Sequence, residues 1–162
     1  MKKSTKILIA AVFVCLIFSG ISLKLSVTRT INAISNIGEV AYTDASKEKI
    51  DRAVFYYNAL DDNFKLKDKI TNKREFDTAK IEYARLAIKA AKVADARKTV
   101  EEYSDTDVQG YVKAAREVVD SYLTPEQYVE VENYQDLLNL ESEYSSDSGS
   151  GSGGEEVSIP MC

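Results

Sequence analysis

Residues 76–100 read FDTAKIEYARLAIKAAKVADARKTV. Phe76, Ala79, Tyr83, Leu86, Ala90, Val93, Arg97 and Val100 recur at spacings of three and four. Apolar residues at that spacing fall on one face of an α-helix. Sustained over four heptads, they predict a single helix about 40 Å long at 1.5 Å per residue. The alanines among them, Ala87, Ala90, Ala91, Ala94 and Ala96, suit a close approach between helices, while Arg97 in the seam argues against a strict coiled coil. A helix of this length finishes one bundle and begins the next, so the chain reads as all-α.

The flanking segments extend the pattern. Between Glu39 and Tyr144 the only Gly and Pro are Gly110 and Pro125. Upstream, Ile31, Ile34 and Ile37 predict a short amphipathic helix over Thr28 to Ile37, closed by Gly38. Ser46 or Asp44 is positioned to cap the next helix, whose stripe is Ile50, Ala53, Val54, Tyr57 and Leu60. Asp61, Asp62 and Asn63 break it. A short helix follows, offering Phe64, Leu66 and Ile70 to the core. Downstream, Ser104 to Asp107 is a polar break, and Val108, Tyr111, Val112, Ala115, Val119 and Tyr122 mark another helix. Thr124-Pro125-Glu126-Gln127 has the form of a capped helix start, with Val129 and Val131 as core contacts. Leu137, Leu140 and Tyr144 define the last helix.

The ends have a different character. Lys2, Lys3 and Lys6 precede an apolar run from Ile7 to Phe18, and Ser19, Gly20 and Ser22 follow. That is the form of an export signal. Two fates remain open: cleavage after Ser22, or retention as a spanning anchor of about 20 residues with Lys24 at the far face. Cys15 raises a lipoprotein option, which the bulky Val14 before it fits poorly. At the other end, Ser145 to Gly154 holds only Ser, Gly and Asp, the composition of a flexible linker. A short peptide ending in Cys162 follows, either a plain disordered end or a processed or thiol-linked signal. The expected organisation is therefore a signal peptide or anchor over 1–25, helical modules over 27–90 and 91–145, and a Gly/Ser/acidic tail over 146–162.

Composition narrows the chemistry. The 162 residues include no His and no Trp, and the two Cys lie in the signal and at the last position. No disulfide framework follows, and zinc or copper sites have no suitable ligands. A Ser-His-Asp or Cys-His nucleophile is excluded. Carboxylate-only catalysis stays open, yet no pair of carboxylates sits in a recognisable context, so the chain is not expected to be an enzyme or to carry a cofactor. Residues 1–100 hold 19 Lys and Arg against 11 Asp and Glu, and residues 101–162 hold 2 against 15. This split fits a basic module joined to an acidic one, or two faces for different partners. The acidic half argues against a nucleic-acid partner. Of the tyrosines, Tyr56, Tyr111 and Tyr128 are the candidates for an interaction surface.

The two halves also echo each other at a period of 61 to 63 residues. Ile50 to Ala53 with Leu60 aligns with Val112 to Ala115 with Leu123. Asn72, Phe76, Ala79, Glu82 and Tyr83 align with Asn133, Leu137, Leu140, Glu143 and Tyr144. The stretch from Ile34 through Ile37-Gly38-Glu39-Val40 to Ile50-Asp51-Arg52-Ala53 and Tyr57 to Leu60 resembles a small three-helix repeat of Gram-positive, clostridia-like cell-surface proteins. Ala114-Ala115-Arg116, Thr124 to Gln127, Asn133-Tyr134, Leu137 and Glu141 to Tyr144 resemble its closing part. The likeness spans residues 31–145, with both copies degenerate: Asp61 to Lys65 replaces the T-x-E-Q-K segment in the first, and the second has no clear I-G-x-V entry. It implies two small three-helix-type bundles in tandem, joined by the long helix and acting as spacers or interaction units outside the cell, with a protein or cell-envelope partner. It carries over no catalytic residue. The alternative is the exterior domain of a membrane-anchored sensor or accessory subunit, acting through a partner protein.

Overall fold

A computed structural model describes residues 23–98 and 103–145. The stretch expected as an export signal, with Cys15, and the Gly/Ser/acidic tail over 146–162, with Cys162, lie outside the described residues. Among these, every regular element is helical: α1 over 23–35, α2 over Asp44–Asn58, α3 over Lys73–Lys98, α4 over Asp105–Tyr122 and α5 over Tyr134–Ser145. Single turns of 3-10 helix at Asp62–Phe64 and Lys67–Lys69, and a longer one at Pro125–Glu130, join them. No helix among the described residues is long and apolar enough to cross a membrane.

Helix α1 is already formed at residue 23, five positions before the expected start. Its N-terminal turns are held by packing: Leu23 and Val27 lie against the core. Thr30 is wholly buried, and its hydroxyl lies 3.0 Å from the Ser26 carbonyl and 3.3 Å from that of Tyr56 in α2. Gly38 ends the segment with φ +67°, a left-handed conformation that favours glycine. The cap of α2 is Thr43, not Ser46 or Asp44. Thr43 is extended (φ −140°, ψ 156°) and its hydroxyl accepts from the Ser46 amide. Ser46 is buried, and its hydroxyl accepts from the Ala41 amide instead.

Helix α3 fills the expected length, but its buried face departs from the heptad reading. Phe76, Ala79 and Tyr83 are buried, after which burial moves to Ala84, Ala87, Ile88, Ala91 and Ala94. Val93 and Arg97 are exposed. A straight helix drifts from a strict seven-residue repeat, and α3 meets α2, α4 and α5 along its length. The small alanine side chains let these neighbours come close.

Two expected core residues face solvent. Phe64 is 56% exposed, because the single 3-10 turn ends in left-handed Lys65 (φ 50°) rather than continuing as a helix. Val129 is 87% exposed. Thr124-Pro125-Glu126-Gln127 opens a 3-10 helix rather than an α-helix, with the Thr124 amide donating to Gln127 Oε1 at 3.1 Å. Leu66, Ile70 and Val131 are buried as expected.

Buried positions recur between the two parts of the chain. Ile50 and Val112, Ala53 and Ala115, Leu60 and Leu123, Phe76 and Leu137, Ala79 and Leu140, and Tyr83 and Tyr144 are all buried. Ile70 (φ −79°, ψ 102°) and Val131 (φ −82°, ψ 107°) close 3-10 turns with nearly the same backbone. Asn72, just before α3, donates from Nδ2 to the Ile31 carbonyl at 3.0 Å; Asn133, just before α5, donates to the Arg85 carbonyl at 3.1 Å. Both leave Oδ1 buried without a partner. The buried side chains from Ala33 to Tyr144 form one contiguous cluster.

Candidate functional site

A cleft of about 370 Å³ opens between α2 and α4, with α3 supplying part of its wall. Helix geometry sets its α2 side. Asp44, Lys47 and Asp51 lie at i, i+3 and i+7 and so share one face, beside Tyr42 just ahead of the Thr43 cap. From α4 come Glu117 and Tyr122, with Ala114 and Ser121 as small neighbours. Tyr83 of α3 lies at the centre and is 3% exposed. Its ring centroid is 5.5 Å from that of Tyr42, at 45°, and 5.9 Å from that of Tyr122, at 66°.

The polar groups are ordered by α2. Lys47 Nζ pairs with Asp51 Oδ2 at 2.7 Å, and the Tyr122 hydroxyl donates to Asp51 Oδ1. Burial pushes the Tyr83 phenol up to about 12, with Tyr42, Asp44 and Asp51 adding to the rise. Tyr122 is raised by burial and by its bond to the Asp51 carboxylate, and Tyr42 by burial and by Asp44. Near neutral pH the cleft therefore presents three neutral phenols, three carboxylates and one ammonium.

The tyrosines singled out from the sequence sit elsewhere. Tyr56 packs partly against the core with its ring 5.6 Å from Phe55, which is itself exposed. Tyr111 is half-buried with its ring centroid 5.8 Å from that of Tyr103, edge to face, and a hydrogen bond with Tyr103 raises its phenol. Tyr128 belongs to the joint between α4 and α5. Its hydroxyl donates to Asp120 at 3.1 Å, and its ring lies 5.1 Å from that of Tyr134. There Arg116 grips Glu141 through two bonds of 2.6 Å and donates to the Tyr134 hydroxyl at 3.2 Å. No ring contact among the described residues links Tyr56, Tyr111 and Tyr128.

No family model matches the chain, and comparison with curated proteins and with solved structures finds no match. No group of three or more acidic, Cys or His side chains among the described residues is placed to hold a metal ion.

The cleft residues Tyr42, Asp44, Asp51, Tyr83, Glu117 and Tyr122 were not singled out from the sequence as a site. Tyr83 and Tyr122 carry the signature of core positions, and they are buried. The available signal was the polar i, i+3, i+7 face of α2. The small Ala114 and Ser121 on the opposing helix leave space in front of it.

Proposed function

We propose that the chain is an exported, non-catalytic helical module that serves as a structural spacer or protein-interaction domain at a bacterial cell surface. In this reading it comprises two three-helix units, α1–α2–α3 and α3–α4–α5, that share α3. The observation that carries the reading is the recurrence of equivalent roles 61 residues apart. Asn72 and Asn133 make the same kind of bond to an earlier helix, and both leave an unpaired Oδ1. Such recurrence supports the likeness to a tandem surface repeat. The basic and apolar N-terminal segment supports export. The partner is a protein or another envelope component and not a nucleic acid, consistent with the acidic second half. The accessory-subunit reading draws support from one observation, the ligand-sized cleft between α2 and α4.

Fractionation of producing cells, with the intact mass of the recovered chain, tests this. The expected product is outside the cytoplasm, either membrane-bound with residues 1–22 retained or released with a start near Leu23. A full-length chain free in the cytoplasm overturns the reading.

A further inference from the structure

The α2–α4 cleft contains a hydroxyl that the fold leaves unpaired. Tyr83 is 3% exposed and lines the cleft, yet among the described residues its hydroxyl has no hydrogen-bond partner. Unlike the Asn72 and Asn133 Oδ1 atoms, this hydroxyl keeps contact with the open cleft, where a ligand can reach it. Of the surrounding carboxylates, Asp51 is engaged by Lys47 and Tyr122. Asp44 and Glu117 have no ion-pair partner among the described residues, and both are exposed at the cleft. The site therefore combines unspent negative charge, a free phenol oxygen and three aromatic rings.

We propose that this cleft binds an alkylammonium group, seated among the rings of Tyr42, Tyr83 and Tyr122 and neutralised by Asp44, Asp51 and Glu117. Each part of the site favours that chemistry. Aromatic faces attract a cation through their quadrupole. The Tyr83 oxygen accepts an N–H, and the carboxylates supply the counter-charge. Three carboxylates against the single Lys47 ammonium repel an anion. The rings meet at 45° and 66° rather than lying parallel, which suits a compact point charge better than a flat guanidinium that stacks on one face. The inference goes beyond the spacer or interaction reading and does not rest on it, since cell fractionation leaves it untouched.

The test is a titration of the full chain with n-butylammonium, tetramethylammonium and a short lysine-containing peptide, followed through the tyrosine ring resonances, with acetate as control. Saturable shifts at Tyr83, Tyr42 and Tyr122 are expected with the amines and none with acetate. Glu117→Gln should weaken binding about threefold to tenfold, the loss of one exposed carboxylate. Glu117 is exposed and makes no bond in the fold, so this variant keeps the structure even if Tyr83→Phe does not. A peptide that binds at least tenfold more tightly than n-butylammonium identifies the source as a lysine on a protein partner. Equal binding identifies a free amine, and both outcomes support the site. No saturation up to about 10 mM for any amine, or saturation that Glu117→Gln leaves unchanged, overturns it.

Discussion

Replacing Leu137 with Ala should destabilise the whole described fold, including helices that Leu137 does not belong to. Leu137 is fully buried in α5 and joins the contiguous core cluster. Truncating a buried leucine costs about 3 kcal/mol, the transfer term plus the cavity left behind. With a urea dependence of about 1.5 kcal/mol per molar for a domain of this size, the unfolding midpoint should fall by about 2 M. The consequential question is which residues register the fall. Helix α3 supplies Phe76, Ala79 and Tyr83 to the core, and then Ala84, Ala87, Ile88 and Ala91 along the same rod. If α3 is shared, loosening α5 removes support from the helix that α2 packs on. Glycine-selective labelling provides the assay, because Gly38 follows α1 and Gly110 lies in α4. Both amides should report the same lowered midpoint. Ile50→Ala in α2, also fully buried, should lower both in the same way. A Gly38 midpoint that stays at its original value while that of Gly110 falls would refute the shared-helix reasoning and leave two independent units.

Four further outcomes follow from local structure. Gly38→Ala and Gly110→Ala should have opposite signs. An added Cβ meets nothing within 4 Å at either site, so backbone preference alone decides. The left-handed Gly38 should lose about 1 kcal/mol and the helical Gly110 should gain about 0.5–1 kcal/mol, read from thermal unfolding. Thr43→Ala removes the α2 cap and should cost about 1 kcal/mol, whereas Asp44→Asn should leave the cap intact, as urea unfolding will show. Arg116→Ala should cost about 1–2 kcal/mol by the same measurement, and Arg116→Lys should recover little, because a single ammonium cannot reproduce the two-bond grip on Glu141. Tyr83 is held neutral to about 12 in the fold, above an unfolded value of about 10. Its contribution is therefore complete below pH about 10 and is lost as pH rises through 12. Phenolate absorbance should show a late-titrating group of tyrosines, with one fewer in Tyr83→Phe.

The helices were legible because their stripes do not depend on knowing the partner. Ile50 and Ala53, Val108, Val112, Ala115 and Val119, and Leu137 with Leu140 are buried where the spacing puts them. Caps and turns were less legible. Thr43, Asp44 and Ser46 all suit a cap, and only the extended backbone at Thr43 decides among them. Phe64 and Val129 read as core because they are apolar, yet they occur in 3-10 turns, whose direction the apolar pattern does not encode. The seam of α3 was misplaced after Tyr83 because several partners pull burial around the helix, which a single heptad frame cannot represent. The cleft was hidden for another reason. Tyr42, Tyr83 and Tyr122 lie on different segments, and only the packing of α2, α3 and α4 brings the Tyr83 ring within 6 Å of both others.

The internal repeat gains weight from what is imperfect about it. Helices rich in Ala, Lys and Glu align by chance, so matching apolar positions alone say little. A buried amide oxygen without a partner is different, since leaving it so carries a cost. The chain carries that cost twice, at Asn72 and at Asn133, each time just before a helix and each time with Nδ2 bonded to the carbonyl of an earlier helix. The acceptors deepen the point. Ile31 lies in α1 and Arg85 in α3, so α3 receives the Asn133 amide as α1 receives that of Asn72. Thr30, Ala33 and Ile34 on α1 and Ile37 just after it are buried, and Ala84, Ala87, Ile88 and Ala91, at the same spacing, are buried on α3. The small side chains of α3 have a physical reason in this arrangement: a rod that meets α2, α4 and α5 within one core must be approached closely on more than one side.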